Sequence, residues 1–307
     1  MRLLSLALTL IVASLAHAQP VSDEEKKEGF VPLFNGKDFD GLRFSGKSDA
    51  PPKNWSVADG MIKLSGGGNP HLATQWPYSD FDVRIQWKAL KKGYNSGFYV
   101  RSGRSVGANQ INLAQNDCGH LMGGAKGGDK VPQLQKDPGE WNDWRVLAVG
   151  DKLTFWCNGK QAWEVTGFKP ASGYIGIQAE GAAIDFKNLR IKEIGFEQLS
   201  DSEPKMLSSV STKVEKDYVL RAEYQSETPS LALKGTSATL ELKDVLAKNA
   251  VGAKGWNCLE VAVRRGMVEV WQNGEIVHKG GTTPAGDLTL TSTTPAMVRN
   301  VRVQRIQ

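Results

Sequence analysis

Histidine and cysteine are scarce in this 307-residue chain, at four and three residues, and neither a CxxC nor an HExxH spacing occurs. A zinc centre built from histidines therefore lacks its ligands. Cys118, Cys157 and Cys258 allow at most one intramolecular pair, which excludes a disulfide-dense scaffold. A long basic block is also missing. Lys and Arg are interspersed with Asp and Glu, and the net charge of +5 becomes +4 without Arg2, so no nucleic-acid footprint is present. The one sustained apolar run, 3–15, is too short to span a bilayer. It follows a single positive charge and closes on Ala16-His17-Ala18, the pattern of a signal peptide over 1–18 cut before Gln19. A secreted or periplasmic protein without a membrane span is expected, and no Cys follows the cleavage point to carry a lipid. Helical periodicity is nearly absent too; the best short-helix candidate is 241–250.

What the chain has in quantity is glycine (33), tryptophan (9) and short runs of alternating apolar and polar residues punctuated by Gly, Asn and Asp. That combination predicts an all-β sandwich. "WSVADGMIKLS" (55–65) reads as a hairpin turning at Asp59-Gly60, and "WNDWRVLAVGDKLTFWCNGKQAWEV" (141–165) as three strands with a tight turn at Asn158-Gly159. "DFDVRIQWKAL" (80–90) places Phe81, Val83, Ile85 and Trp87 on one face.

The second half repeats the first. "EWNDWRVLAVGDKLTFWCNGKQ" aligns without a gap to "GWNCLEVAVRRGMVEVWQNGEI", pairing Trp141 with Trp256 and Asn158-Gly159 with Asn273-Gly274. "DFDVRIQW" matches "DYVLRAEY" (217–224), and "DFKNLRIKEI" matches "MVRNVRVQRI" (297–306). Three blocks in one order indicate a duplicated sandwich. The expected organisation is two jelly-roll-type β-sandwiches, over 28–195 and 213–307, the second a shorter degenerate copy, joined by a polar linker at 196–212. The second copy lacks a counterpart of 101–135, and "SLALKG" (230–235) stands where the first has "SGFYVRSG". Trp141 and Asn142 recur in both copies and so read as structural. Whatever the fold can do without is where function is sought.

That insert and its flanks carry the polar candidates. Asn95, Tyr99 and Arg101 lie in "YNSGFYVRSG"; Gln110, Asn112, Asp117, His120 and Lys126 lie in the glycine-rich insert; Gln178 and Glu180 share a face by alternation. Amides pair with vicinal hydroxyls and aromatic faces stack on sugars, so this set suits carbohydrate. Alternation puts Phe98 and Val100 on one side of their strand, and Tyr99 and Arg101 on the other, facing ligand. His120 reads either as a hydrogen-bonded loop residue or as an acid/base or metal ligand. Cys118 reads as a disulfide partner or as a small buried hydrophobe.

Together "GFVPLFNGKDFDGL" (29–42), "WSVADGMI", "YSDFDVRIQWK", "YNSGFYVRSG", "GEWNDWRV", "LTFWCNGKQ" and "GYIGIQAEGAAIDFKNLRI" resemble the 3-keto-disaccharide hydrolase domain family, in the family's order. The resemblance implies a concanavalin A-like jelly roll acting on keto-sugars by hydrolysis or elimination. A ketone at C3 acidifies the C2 proton, so such a site needs a base and an electrophile or divalent metal near the ketone oxygen. The resemblance maps Asn95, Arg101, Gln110, Gln178 and the polar position at Glu180 onto the family pattern. The chain departs from it where relatives carry acids around the strand glutamine: Ala108 and Leu113 occupy those places in "GANQINLAQ", with Asp117 nearby. The expected roles are Glu180 or His120 as base and Arg101 as oxyanion stabiliser. The competing readings are a non-catalytic carbohydrate-binding module and a paired-sandwich scaffold. The sequence does not specify the oligomeric state.

Overall fold

The computed structural model describes residues 21–46, 51–226, 230–236, 238–246 and 255–306. The expected signal peptide lies outside the described residues, as does the end of the helix expected at 241–250; its described part is the single turn Lys243–Leu246. The other described helix, Asp23–Lys27, is held by a capping box between Ser22 and Glu25. No helix among the described residues is long and apolar enough to cross a membrane. The rest of the regular structure is antiparallel strand, and the fold is two jelly-roll-type β-sandwiches.

The first sandwich packs an eight-stranded sheet on a six-stranded one. The larger runs Lys160–Val165, Lys152–Cys157, Asn142–Val149, Phe81–Ala89, Ile184–Glu193, Met61–Leu64, Trp55–Ala58, with Val31–Pro32 also on Ile184–Glu193. The smaller runs Leu42–Phe44, Leu72–Thr74, Tyr174–Ile177, Asn95–Ser102, Gln110–Ala114, Leu121–Met122. Alternation builds the layer between them: Phe81, Val83, Ile85 and Trp87 are buried from one sheet, and Phe98, Val100, Ile111 and Leu113 from the other. Trp87, Trp144 and Phe155 meet edge to face at centroid distances of 5.5 and 5.0 Å, each such pair adding about 1 kcal/mol beyond burial.

The second sandwich reuses this connectivity. Its larger sheet runs Glu275–Lys279, Met267–Gln272, Asn257–Arg264, Asp217–Gln225, Met297–Ile306, the order of the matching strands in the first copy. Leu231–Lys234 takes the place of Asn95–Ser102 in its four-stranded sheet. The repeated blocks persist for a structural reason. Asp59-Gly60, Asn158-Gly159 and Asn273-Gly274 all carry positive φ at both positions, as two-residue hairpin turns require. Asn158 Oδ1 accepts from Asp143 N (2.9 Å) and its Nδ2 donates to Asn142 Oδ1 (3.0 Å); Asn273 repeats this with Cys258 N (2.8 Å) and Asn257 Oδ1 (2.9 Å).

The stretch read as a linker, 196–212, is not a free tether. Glu197–Gln198 and Lys205–Met206 pair with Met297–Ile306, and Leu207 enters the second core. Its polarity is that of short edge strands with one wet side. All three cysteines are buried thiols, so Cys118 forms no disulfide and packs as a small hydrophobe. Buried ion pairs dock the two sandwiches: Arg221 donates to Glu193 (2.8 Å) and Glu260 (2.6 Å), Arg302 pairs with Glu193, and Arg299 bridges Asp40 (2.9 Å) and Glu223 (2.7 Å).

Candidate functional site

The outer face of the six-stranded sheet collects most of the polar candidates. Strand register lays them in rows. Gly176, Tyr99, Gln110 and Met122 are cross-strand neighbours in one row. In the next, Gln178 N donates to Gly97 O (2.8 Å), Gly97 opposes Asn112, and Asn112 N donates to His120 O (2.7 Å). Gln178 and Glu180 are half-buried on either side of the buried Ala179, as alternation requires.

A carboxamide ladder crosses this face. Gln110 Nε2 donates to Gln178 Oε1 (3.0 Å) and lies 3.4 Å from Asn112 Oδ1. The ladder needs Gly97 beneath it, because a Cβ there would fall 2.1 Å from Gln110 Nε2. Ser96 points the other way, into the core, and its Oγ donates to Gln178 O (2.7 Å), fixing the segment after Tyr174–Ile177 that carries Gln178 and Glu180. The Asn-Ser-Gly stretch thus alternates ligand face, core lock and bare floor. Asn95 sits under the Gly181 turn, where a Cβ on Gly181 would meet Asn95 backbone at 2.7 Å.

His71 joins this face, and the sequence reading missed it. It precedes Leu72–Thr74, and alternation from the buried Leu72 sends it outward. Its Nδ1 accepts a hydrogen bond from Ala179 N (3.1 Å), and its Nε2 is 3.4 Å from Tyr99 Oη. A backbone N–H can only donate, so Nδ1 is unprotonated and the neutral ring carries its proton on Nε2. Burial lowers the His71 pKa from the ordinary 6.5 in agreement with that. Tyr99 is held in its neutral form as well: burial, and then the nearby Glu180 carboxylate, push its phenol up to about 12. Glu180, Tyr99 and His71 therefore gather one carboxylate and two neutral donors beside the amide ladder.

The sign of the His71 shift sets a pH dependence. A depressed folded-state pKa means that neutral His71 contributes its full stability above pH 6.5, lost as pH falls through the folded value. In thermal unfolding, the advantage of the native protein over His71→Gln is expected to be constant above neutrality and to shrink below pH 6.5. An advantage that grows on acidification would mean a cationic ring in the folded state.

Three expectations are corrected. Arg101 is fully buried and does not reach the ligand face. Its φ of 45° breaks the strand's alternation, and its Nε, Nη1 and Nη2 donate to Ser79 O (2.7 Å), Gly150 O (2.6 Å) and Asp80 Oδ1 (2.9 Å). Leu113 lies in the core, so its position offers no place for a carboxylate on the ligand face; Ala108 is an exposed loop residue. Lys126 is exposed in a segment that folds along the sandwich edge, where Gly127 and Gly128 pack against Val165 and Trp163. Asp117 is exposed in the turn before His120, its carbonyl accepting from His120 N (3.2 Å). Neither is brought to the Glu180 cluster. Among the described residues no group of three or more His, Cys, Asp or Glu is placed to hold a metal ion.

Known proteins resemble part of this chain. A 3-keto-disaccharide hydrolase of Bacteroides thetaiotaomicron is 24% identical over 228 residues, covering 54% of this chain and 78% of the relative. A crystal structure described as that of a glycosyl hydrolase of Parabacteroides distasonis is 26% identical, with a TM-score of 0.46 over 57% of this chain and 98% of that one. The Bacillus subtilis carbohydrate-binding module CBM66 is 12% identical, with a TM-score of 0.37 over 50% of this chain and 96% of that one. Residues 29–192, the first sandwich from the strand region after the capped helix to the end of its last long strand, match the 3-keto-alpha-glucoside-1,2-lyase-like domain. With that match spanning more than half of its residues, the chain belongs to the 3-keto-alpha-glucoside-1,2-lyase-like family.

Proposed function

We propose that the outer face of the six-stranded sheet cleaves 3-keto-glycosides in an exported protein, by elimination across C1–C2 followed by addition of water. The observation that carries this reading is the clustering of Glu180 with two donors held neutral, Tyr99 and His71. Glu180 takes the C2 proton, and the electrons of that bond pass into the C2–C3 bond as the C3 carbonyl becomes an enolate. Tyr99 O–H and His71 Nε2–H are the donors for that developing oxyanion, and neither must ionise to act. When the carbonyl re-forms, the C1–O bond breaks, and the departing oxygen takes up a proton. The product is an enone with a C1–C2 double bond. Water then adds its oxygen to C1 and a proton to C2, so the net change is hydrolysis. Gln110, Gln178, Asn112 and Asn95 supply amides for the sugar hydroxyls.

Incubating the protein with a 3-keto-glucoside in D2O tests this. Release of the aglycone with deuterium at C2 of the sugar is expected. Cleavage without C2 exchange would overturn elimination, and saturable binding without cleavage would make the face that of a binding module. A second expectation concerns the ladder. Gly97→Ala should displace the Gln110 side chain and break its bond to Gln178, raising KM several-fold. The stability cost is about 1 kcal/mol, overpacking partly offset by the lower unfolded-state entropy. An unchanged KM would show that the ladder does not touch substrate.

A further inference from the structure

A sizeable cavity lies away from the Glu180 face. It has a volume of about 920 Å³ and lies between the larger sheet of the first sandwich and the second sandwich. That size is typical of small-ligand sites. Its walls carry equivalent residues from both copies. Trp141, Lys187 and Asn188 come from the first, and Trp256, Arg299 and Asn300 from the second. In each copy the cation lies over the tryptophan ring, Lys187 Nζ at 4.0 Å from the Trp141 centroid and Arg299 Cζ at 4.0 Å from Trp256. Each asparagine has φ 51° and donates to the neighbouring strand, Asn188 to Gln86 Oε1 (2.7 Å) and Asn300 to Glu223 Oε1 (2.8 Å).

The copies differ in charge compensation. Arg299 opposes Glu223 across its strand pair and is neutralised by it and by Asp40. Lys187 opposes Gln86, a neutral residue in the place of that glutamate, and forms no ion pair among the described residues. Lys88 stands on the same wall, 4.9 Å from the Trp141 centroid, with its carboxylate partner Asp185 at 3.7 Å. Burial and the neighbouring Lys88 both lower the Lys187 pKa, the mark of a cation in need of a counter-charge. Arg299 is thus neutralised by its own carboxylates, while beside the half-buried Trp141 two lysines have the one carboxylate partner Asp185, on Lys88. Asp59 and Glu203 also line the cavity, and Asp59 is paired with Lys63 (3.1 Å).

We infer that this cavity is a second carbohydrate site, separate from the Glu180 face, that takes an acidic sugar with its carboxylate or sulfate on Lys88 and Lys187 beside Trp141. Neutral sugars leave the lysine charge uncompensated and are excluded by preference. The repeat arrangement explains how such a site arises, since exchange of one cross-strand glutamate for glutamine opens an otherwise self-neutralised pair.

Titration calorimetry of the full chain with trigalacturonate, a sulfated chondroitin disaccharide and neutral cellotriose tests this. At least one acidic probe is expected to bind, with affinity falling as salt rises, and cellotriose to bind at least tenfold more weakly. The acidic probe that binds identifies the anionic group. Lys187→Gln should lower the affinity at least tenfold, Lys187→Arg should restore most of it, and Glu180→Gln should leave it unchanged. The two Lys187 variants should unfold near the native temperature, since among the described residues Lys187 forms no ion pair and its contact with Trp141 is only half-buried. Equal binding of cellotriose, no binding of either acidic probe, or affinity indifferent to Lys187→Gln would overturn the inference. Turnover of a 3-keto-glucoside by Lys187→Gln reads the Glu180 face independently.

Discussion

Glu180→Gln is expected to lower kcat for a 3-keto-glucoside by roughly two to four orders of magnitude, the usual contribution of a positioned general base. KM should change little, because glutamine keeps the size of the side chain and one acceptor oxygen. The loss should appear equally in C2–deuterium exchange, since proton abstraction is the step removed. A second readout separates a chemical role from a packing one. Glu180 contributes, after burial, to holding the Tyr99 phenol up to about 12. Removing its charge should move the Tyr99 titration downward, measurable from phenolate absorbance, while the burial component remains. Unchanged turnover in Glu180→Gln would remove Glu180 from the mechanism. Reduced turnover with an unmoved Tyr99 would place it farther from Tyr99 than this geometry has it.

The same cluster shows which parts of the site were legible in sequence. Gln178 and Glu180 were found because alternation is a local rule, and the buried Ala179 between them obeys it. Gln110 and Asn112 stand out instead as amides in the polar insert, Gln110 also through the family resemblance, and the structure turns Ile111 and Leu113 between and beside them to the core. His71 was missed because its one local mark is alternation beside a strand of only three residues. It acquires its role from Ala179 and Tyr99, 108 and 28 residues away in sequence. The signal that was available is alternation through "HLAT", which opposes His71 to the core residue Leu72. The duplication was legible because its blocks are turn and core residues, and the structure shows each doing the same local job twice. The glycine-rich insert misled for the opposite reason. Its composition reads as a polar sugar-binding loop, whereas Gly119, Gly124 and Gly128 sit where a Cβ would strike Phe155, Phe168 and Leu121. They let the insert pack tightly along the sandwich.

Arg101→Ala is expected to cost about 3 kcal/mol of stability and to leave the chemistry intact, the reverse of what a ligand-facing arginine would do. Positive φ at a non-glycine strand residue is invisible to alternation, and it turns this side chain under the sheet end. There the guanidinium ties the end of Asn95–Ser102 to Ser79, Asp80 and Gly150, at the turns flanking two strands of the opposite sheet. Asp80 also accepts from Gly150 N (3.0 Å), so the arginine completes a closed set of bonds. Its loss leaves two carbonyls without their donor and a void where the side chain stood. Asp80 keeps access to water, which limits the cost to the lower end of the range for breaking a buried ion pair. For a unit of this size that corresponds to a fall in Tm of roughly 6–12 °C. Arg101→Lys should recover only part of it, since one ammonium cannot reproduce a planar fork aimed at three acceptors. Gly173→Ala should mimic the damage, because its Cβ would meet the Arg101 carbonyl carbon at 2.3 Å. At a temperature where each variant is folded, kcat and KM should match the native protein. A collapse of kcat with Tm unchanged would return Arg101 to the ligand face.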